Sequence, residues 1–129
     1  MVNSVLCRTV FQRIVRALLL GLLLGASAAH ADDMQQANAL LKAGRYPQAL
    51  EHVNKAIAAQ PRDQQARFLK GLILTEHGDT KDAIEVFQEL TQDYPDLPEP
   101  YNNLAVIYAS QGHYEKARTA LEKSIRTHS

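Results

Sequence analysis

At 129 residues the chain has room for one domain, and its 14 Lys and Arg balance its 14 Asp and Glu. The balance is uneven: residues 1–31 carry Arg8, Arg13 and Arg16 and no acid, so residues 32–129 hold a formal charge of −3. That mildly acidic remainder argues against a nucleic-acid partner, which needs a basic stripe to neutralise phosphates, and the lone Cys7 excludes an internal disulfide.

The three arginines precede an apolar run from Ala17 to Ala29, followed by Ala29-His30-Ala31 and then Asp32-Asp33. A basic start, an apolar middle of about 7–15 residues and a small-x-small exit describe a bacterial-style secretory signal peptide. The expected cut follows Ala31, with Ala26-Ser27-Ala28 as the second choice. A membrane span needs about 20 apolar residues, and this run has 13. The expectation is a signal peptide over 1–31 and a periplasmic or secreted domain over 32–129, rather than a retained anchor.

The rest of the chain repeats with a period of 34 residues: Gly44, Gly78 and Gly112 share a register, as do Ala49, Ala83 and Ala117, and Val53, Phe87 and Leu121. A fixed period without insertion is the mark of a repeat architecture. The units are 30–63, 64–97 and 98–129, and each reads as helix, turn, helix. In the first, Asp32 or Asp33 is placed to cap a helix carrying Ala37, Leu40 and Leu41, which Gly44 ends. Pro47 opens the second helix, whose Ala49, Leu50, Val53, Ala56 and Ile57 make one buried stripe before Pro61. Asp63 is placed to cap the second unit, which carries Phe68, Leu69, Leu72, Ile73 and Leu74. Gly71 lies inside that helix, where glycine costs about 1 kcal/mol relative to alanine, so a partner helix is expected to come close there. Ala83, Ile84, Phe87 and Leu90 carry its second helix. The third unit is the most regular, with Tyr101, Leu104, Ala105 and Tyr108 before Gly112, and Tyr114, Ala117, Leu121 and Ile125 after it.

These residues resemble the tetratricopeptide repeat, a helix–turn–helix patterned W-x2-L-G-x2-Y, A-x3-F, P. The third unit reads Tyr101-x2-Leu104-Ala105-x2-Tyr108 and Ala117-x3-Leu121. The second reads Arg67-x2-Lys70-Gly71-x2-Leu74, Ala83-x3-Phe87 and Pro95. The first keeps Ala37-x2-Leu40, Ala49-x3-Val53 and Pro61. The resemblance implies an all-α solenoid of three antiparallel helix pairs. Asp33, Gln36, Arg67 and Lys70 depart from the family's apolar preference: the first two suit a polar end cap, and the stems of the other two suit covering apolar surface while their charges reach water.

No P-loop or GxGxxG pattern and no HExxH or paired zinc-ligand spacing is present. His52, His77, His113 and His128 lack zinc-site spacing, His77 and His113 read as solvated turn residues beside glycines, and Asp79/Asp82 and Glu85/Glu89 read as solvated helix charge. No catalytic residue, cofactor or metal is therefore expected, and the chain reads as a non-enzyme. In the family that these residues resemble, the first helix of each pair lines a concave binding face. The positions implied for a peptide-binding groove are Met34, Asn38 and Leu41 in the first unit, with Gln35 beside them. In the second they are Phe68, Leu69 and Leu72, with Thr75. In the third they are Asn102, Asn103 and Val106, with Glu99 and Ser110. Buried apolar surface contributes about 25 cal/mol per Å2, so Phe68, Leu72 and Val106 suit an apolar anchor, and the Asn103 amide suits a peptide backbone. The positions where some relatives clamp a C-terminal carboxylate hold Met34, Asn38, Leu69, Glu99 and Asn103, with no lysine or arginine.

The chain stops inside the last turn of the third unit, and Ile107, Ala120 and Leu121 are expected to lack a cover. Self-association, a missing C-terminal cap helix, or simple tolerance with Lys116, Lys123 and Arg126 keeping the face soluble are the three readings. The functional expectation is a scaffold or adaptor of the bacterial cell envelope that binds a protein or peptide. The alternative is an N-terminal docking or regulatory segment of a larger envelope enzyme.

Overall fold

The computed structural model describes residues 2–127, with the side chains of residues 2–4 and 19–24 outside that description. The described residues form six helices and no strand: α1 (Val2–Lys42), α2 (Tyr46–Ala59), α3 (Gln64–His77), α4 (Thr80–Asp93), α5 (Pro98–Ser110) and α6 (Tyr114–Thr127). Each helix packs on its neighbours in the chain, and α1 also touches α3. The result is the expected all-α stack of three antiparallel pairs: α1 with α2, α3 with α4, α5 with α6.

The turns within the pairs are copies of one another. Gly44, Gly78 and Gly112 have φ of 72°, 92° and 77°, a left-handed conformation that only glycine adopts without strain. The next residue donates its N–H back across the turn in each case: Arg45 to Leu40 O at 2.9 Å, Asp79 to Leu74 O at 2.9 Å and His113 to Tyr108 O at 2.8 Å. This closure satisfies carbonyls that a helix end otherwise leaves open. Between pairs, Asp63 caps α3, its Oδ1 accepting from Gln65 N at 2.8 Å and Ala66 N at 3.4 Å.

Two buried clusters run through the stack. Ala37, Ala49, Val53, Leu69 and Ile73 join α1, α2 and α3. Leu74, Ala83, Phe87, Leu90, Leu104, Ala105, Ile107 and Ala120 join α3 to α6. Gly71 has the close contact anticipated for it: a Cβ built there would stand 2.5 Å from Phe87 Cε1. The glycine lets the fully buried Phe87 ring lie against the α3 backbone.

Three expectations are corrected. First, no helix starts at Asp32 or Asp33, because α1 runs unbroken from Val2 to Lys42; the alanine-rich junction at 26–31 contains nothing that stops a helix. Asp33 instead accepts from His52 Nδ1 at 2.9 Å, tying α1 to α2. His30, beside the expected cut, lies 2.7 Å from Asp63 Oδ2 through Nε2 and 3.1 Å from Ala56 O through Nδ1. Among the described residues no helix is long and apolar enough to cross a membrane; the centre of the apolar run, 19–24, has no described side chains, and His128 also lies outside the described residues.

Second, Arg67 does more than lie along apolar surface with its charge in water. Its side chain is 14% exposed and pairs with Asp93 at 2.7 Å and Glu89 at 3.8 Å, and its guanidinium sits 5.9 Å from the Tyr94 ring centroid. Third, Ile107 and Ala120 are covered, both inside the larger cluster. The large apolar side chains exposed on α6 are Tyr114 at 71%, Leu121 at 47% and Ile125 at 66%.

Replacing Gly71 with alanine is expected to lower the unfolding free energy by about 1–2 kcal/mol, because overpacking outweighs the roughly 1 kcal/mol gain in helix propensity. Urea unfolding checks it, with loss of the midpoint at unchanged helicity as the expected result.

Candidate functional site

The first helices α1, α3 and α5 carry every residue expected in the groove, but the structure sorts them into three kinds. Leu69 is withdrawn from the groove. It is 5% exposed and packs in the cluster with Ala37, Ala49, Val53 and Ile73. One residue along a helix turns the side chain by about 100°, which takes Leu69 from the side of Phe68 to the side of α2.

Met34, Leu41 and Leu72 are half-buried and packed on the clusters, so they support the face more than they project from it. Phe68 does both. Its ring lies 5.6 Å from that of Phe87 at 58°, and it also lines a cleft of about 300 Å3 with Gln64, Gln65, Leu97, Glu99 and Pro100. This cleft, between the first turns of α3 and α5, is where the structure brings two expected groove residues, Phe68 and Glu99, together.

The rest of the expected set is polar or open. Asn38 and Asn102 are exposed, and Val106 is 69% exposed. Asn38 donates its side-chain N–H to Met34 O and Asn103 to Glu99 O, both at 2.9 Å, one turn back on their own helices. Each amide thus has one donor engaged, and a second donor and an acceptor remain in its inventory. Thr75 and Ser110 likewise donate to their own helices, to Gly71 O at 2.8 Å and Ile107 O at 2.7 Å.

Sequence reasoning missed Gln64, Gln65, Leu97 and Pro100. They lie at helix starts, where polar and proline residues read as capping rather than lining. The signal available was their position: Gln64 and Gln65 lie within one turn of Phe68, and Leu97 and Pro100 flank Glu99 within two residues.

Among the described residues no group of three or more His, Cys, Asp or Glu is arranged to hold a metal ion. Glu51 is held below the usual carboxylate range by a hydrogen bond from Lys55 and its charge, and Lys55 is raised by the same contact at 2.9 Å. This exposed pair lies one turn apart on α2, away from the cleft.

Three antiparallel helix pairs in one register, joined by identical glycine turns and presenting a row of first helices, define a helical-repeat solenoid. The family is named by its matches: two tetratricopeptide repeat models fit the chain, one over residues 34–98 and the other over 74–128. The chain belongs to the tetratricopeptide repeat family, whose fold is a protein-interaction scaffold.

Among relatives, the chain is 30% identical over 83 residues to protein O-mannosyl-transferase TMTC1 of Homo sapiens, covering 64% of this chain and 9% of that protein. It is 36% identical over 72 residues to photosystem I assembly protein Ycf3 of Cyanophora paradoxa, covering 54% of this chain and 42% of that one. The chain thus spans less than half the length of either relative. A crystal structure of MamA superposes with a TM-score of 0.70 at 19% identity, over 80% of this chain and 58% of that chain, a likeness of fold alone.

Phe68→Ala is expected to lower stability by about 1–3 kcal/mol, since it strips a half-buried ring from Phe87. Val106→Ala, at an open position, is expected to stay within about 0.5 kcal/mol of the parent. Denaturant titration of both variants checks this, and it makes Val106 the cleaner probe of the face.

Proposed function

We propose that this chain is a non-catalytic adaptor of the bacterial cell envelope that holds a protein or peptide along its row of first helices. The observation that carries the reading is the cleft between α3 and α5, floored by Phe68 and edged by Gln64, Gln65 and Glu99, continued by the open Asn102 and Val106. An apolar floor with amide edges suits an apolar side chain flanked by peptide backbone. The related Ycf3 is by name an assembly protein, which agrees with work done by holding partners.

The envelope location rests on residues 1–31: three arginines, an apolar run and Ala29-His30-Ala31. In this reading the leader is cleaved after Ala31, the domain is 32–129, and the mature chain is periplasmic or secreted, without metal, cofactor or nucleic-acid partner. Cleavage removes His30 and its contacts to Asp63 and Ala56.

A second reading has one observation in its favour. The related TMTC1 is by name a transferase of which this chain spans 9%, so the same repeat is compatible with a docking or regulatory segment of a larger envelope enzyme.

Leu121 and Ile125 form a further contact face. Their register mates are largely enclosed: Val53 and Phe87 are fully buried, and Ile57 and Thr91 are half-buried. We infer that α6 is covered in the working assembly, by a second copy or by a capping helix.

Two experiments test these readings. A photo-crosslinking residue at Val106 is expected to trap a partner in envelope extract, and the same residue at the outer-face Arg118 is not; equal trapping at both sinks the groove assignment. N-terminal sequencing of the protein from the periplasmic fraction is expected to begin at Asp32. For α6, sedimentation across concentrations is expected to show mass rising for the parent and not for Leu121→Lys/Ile125→Lys if a second copy is the cover. A constant parent mass leaves the capping helix.

A further inference from the structure

Two clefts occupy corresponding faces of the second and third units, and their charges are opposite. The first, of about 330 Å3, lies between α3 and α4 and is lined by Lys70, Asp82, Glu85 and Glu89 among others. The second, of about 600 Å3, lies between α4 and α6 with α5 as its floor. Moving along the chain by 34 residues turns Asp82 into Lys116, Glu85 into Thr119 and Glu89 into Lys123.

The two clefts also differ in how their charges are answered. The acidic side of the first has an internal cation: Arg67 pairs with Glu89 at 3.8 Å and with Asp93 at 2.7 Å. In the second, the position of Arg67 is Tyr101 and that of Lys70 is Leu104, so the floor is apolar and aromatic. Lys116 and Lys123 have no carboxylate partner among the described residues. The Lys116 ammonium lies 5.7 Å from the Tyr108 ring centroid. Gln88 donates to the Tyr108 hydroxyl at 3.0 Å, fixing the ring from the α4 side. One acid, Glu115, lies on the rim beside the two lysines, which leaves the lining with a net positive charge.

Lys116 and Lys123 are seven residues apart on α6. At 1.5 Å per residue they stand about 10.5 Å apart on one face of the helix. A polyproline II segment rises about 3.1 Å per residue with three residues per turn, so side chains three apart share a face about 9.3 Å apart. In a flat β-strand, side chains three apart point to opposite faces. We propose that the α4–α6 cleft binds an acidic peptide of a partner protein in polyproline II conformation, with two carboxylates three residues apart, one on Lys116 and one on Lys123. The Tyr101, Leu104 and Tyr108 floor takes the apolar residues between them, and Gln92 and Thr119 on the walls offer hydrogen bonds to its backbone. The site is separate from the α3–α5 cleft and does not depend on the reading given for that face.

The probe is a fluorescein-tagged Pro-Glu-Pro-Pro-Glu-Pro peptide titrated against the full chain by anisotropy, with NMR shifts mapping the site. Saturable binding is expected, weakening with added salt, with shifts at Lys116, Lys123, Gln88 and Tyr108. The Lys116→Glu/Lys123→Glu variant is expected to bind at least about tenfold more weakly, and Lys116→Gln/Lys123→Gln to fall between. Both sites are exposed, and circular dichroism is expected to show unchanged helicity. The peptide with glutamines for glutamates is expected to bind about tenfold more weakly than the probe, and one with its glutamates adjacent, which reaches only one lysine, about threefold more weakly. Val106→Glu is expected to leave probe binding unchanged, which keeps this site's failure distinct from that of the α3–α5 face. Equal binding by the charge-reversed chain, equal binding by the adjacent-glutamate peptide, or shifts confined to Phe68 and Glu99 overturns the proposal. So does self-association of the chain that the charge reversal abolishes, since the cleft's occupant is then a second copy.

Discussion

Phe87 against Gly71 is the contact on which the stack depends. The ring lies on the backbone of α3 because no side chain keeps it away, and it belongs to the same buried cluster as Leu104, Ala105 and Ile107 of α5. A single side chain therefore closes its own helix pair and joins it to the next. Neither pair buries its apolar side alone. The stack is stable only because each second helix finds a first helix beyond it, as α2 finds α3 at Val53 and Leu69. The row of first helices, and so the candidate groove, is held in place by this chain of contacts rather than by any bond within the groove.

Much of this was legible because the physics is local. A glycine forced to positive φ, an aspartate ahead of a helix, a proline in a first turn and a glycine inside an apolar helix each have one structural meaning in their setting. Gly44, Gly78, Gly112, Asp63, Pro47 and Gly71 all took it. What was not legible depended on which neighbour a side chain meets. Leu69 shares a register with Gln35 and Asn103, so the repeat offers no constant chemistry to say that this leucine turns inward. Arg67 read as an oddity in an aromatic position until Asp93 and Glu89 appeared across from it on α4. The start of the first repeat was read from Asp32 and Asp33, yet caps act only where a helix has an end. An alanine-rich junction lets α1 run straight through both.

Repetition constrains the backbone far more tightly than the surface. The three glycine turns close with nearly the same hydrogen bond, while Asp82 and Glu89 on α4 answer to Lys116 and Lys123 on α6. Interior positions must fit a fixed spacing between helices, so their size is held; outer positions meet water, so their charge is free to diverge between units. The half-buried Phe68 belongs to both regimes, packed on Phe87 on one side and lining the α3–α5 cleft on the other.

The same distinction bears on what holds α1 to the repeats. His52 of α2 reaches Asp33 of α1 at 2.9 Å, and His30 of α1 reaches Asp63, the cap of α3, at 2.7 Å, on side chains that retain some exposure. Such partly solvated pairs contribute little next to the enclosed contacts of Ala37, Ala49 and Val53. The first repeat is therefore anchored by its small and branched apolar residues, all of which lie beyond Ala31. Loss of the preceding segment removes the His30 ties to Asp63 and Ala56 and leaves that packing, and the Asp63 cap on α3, in place.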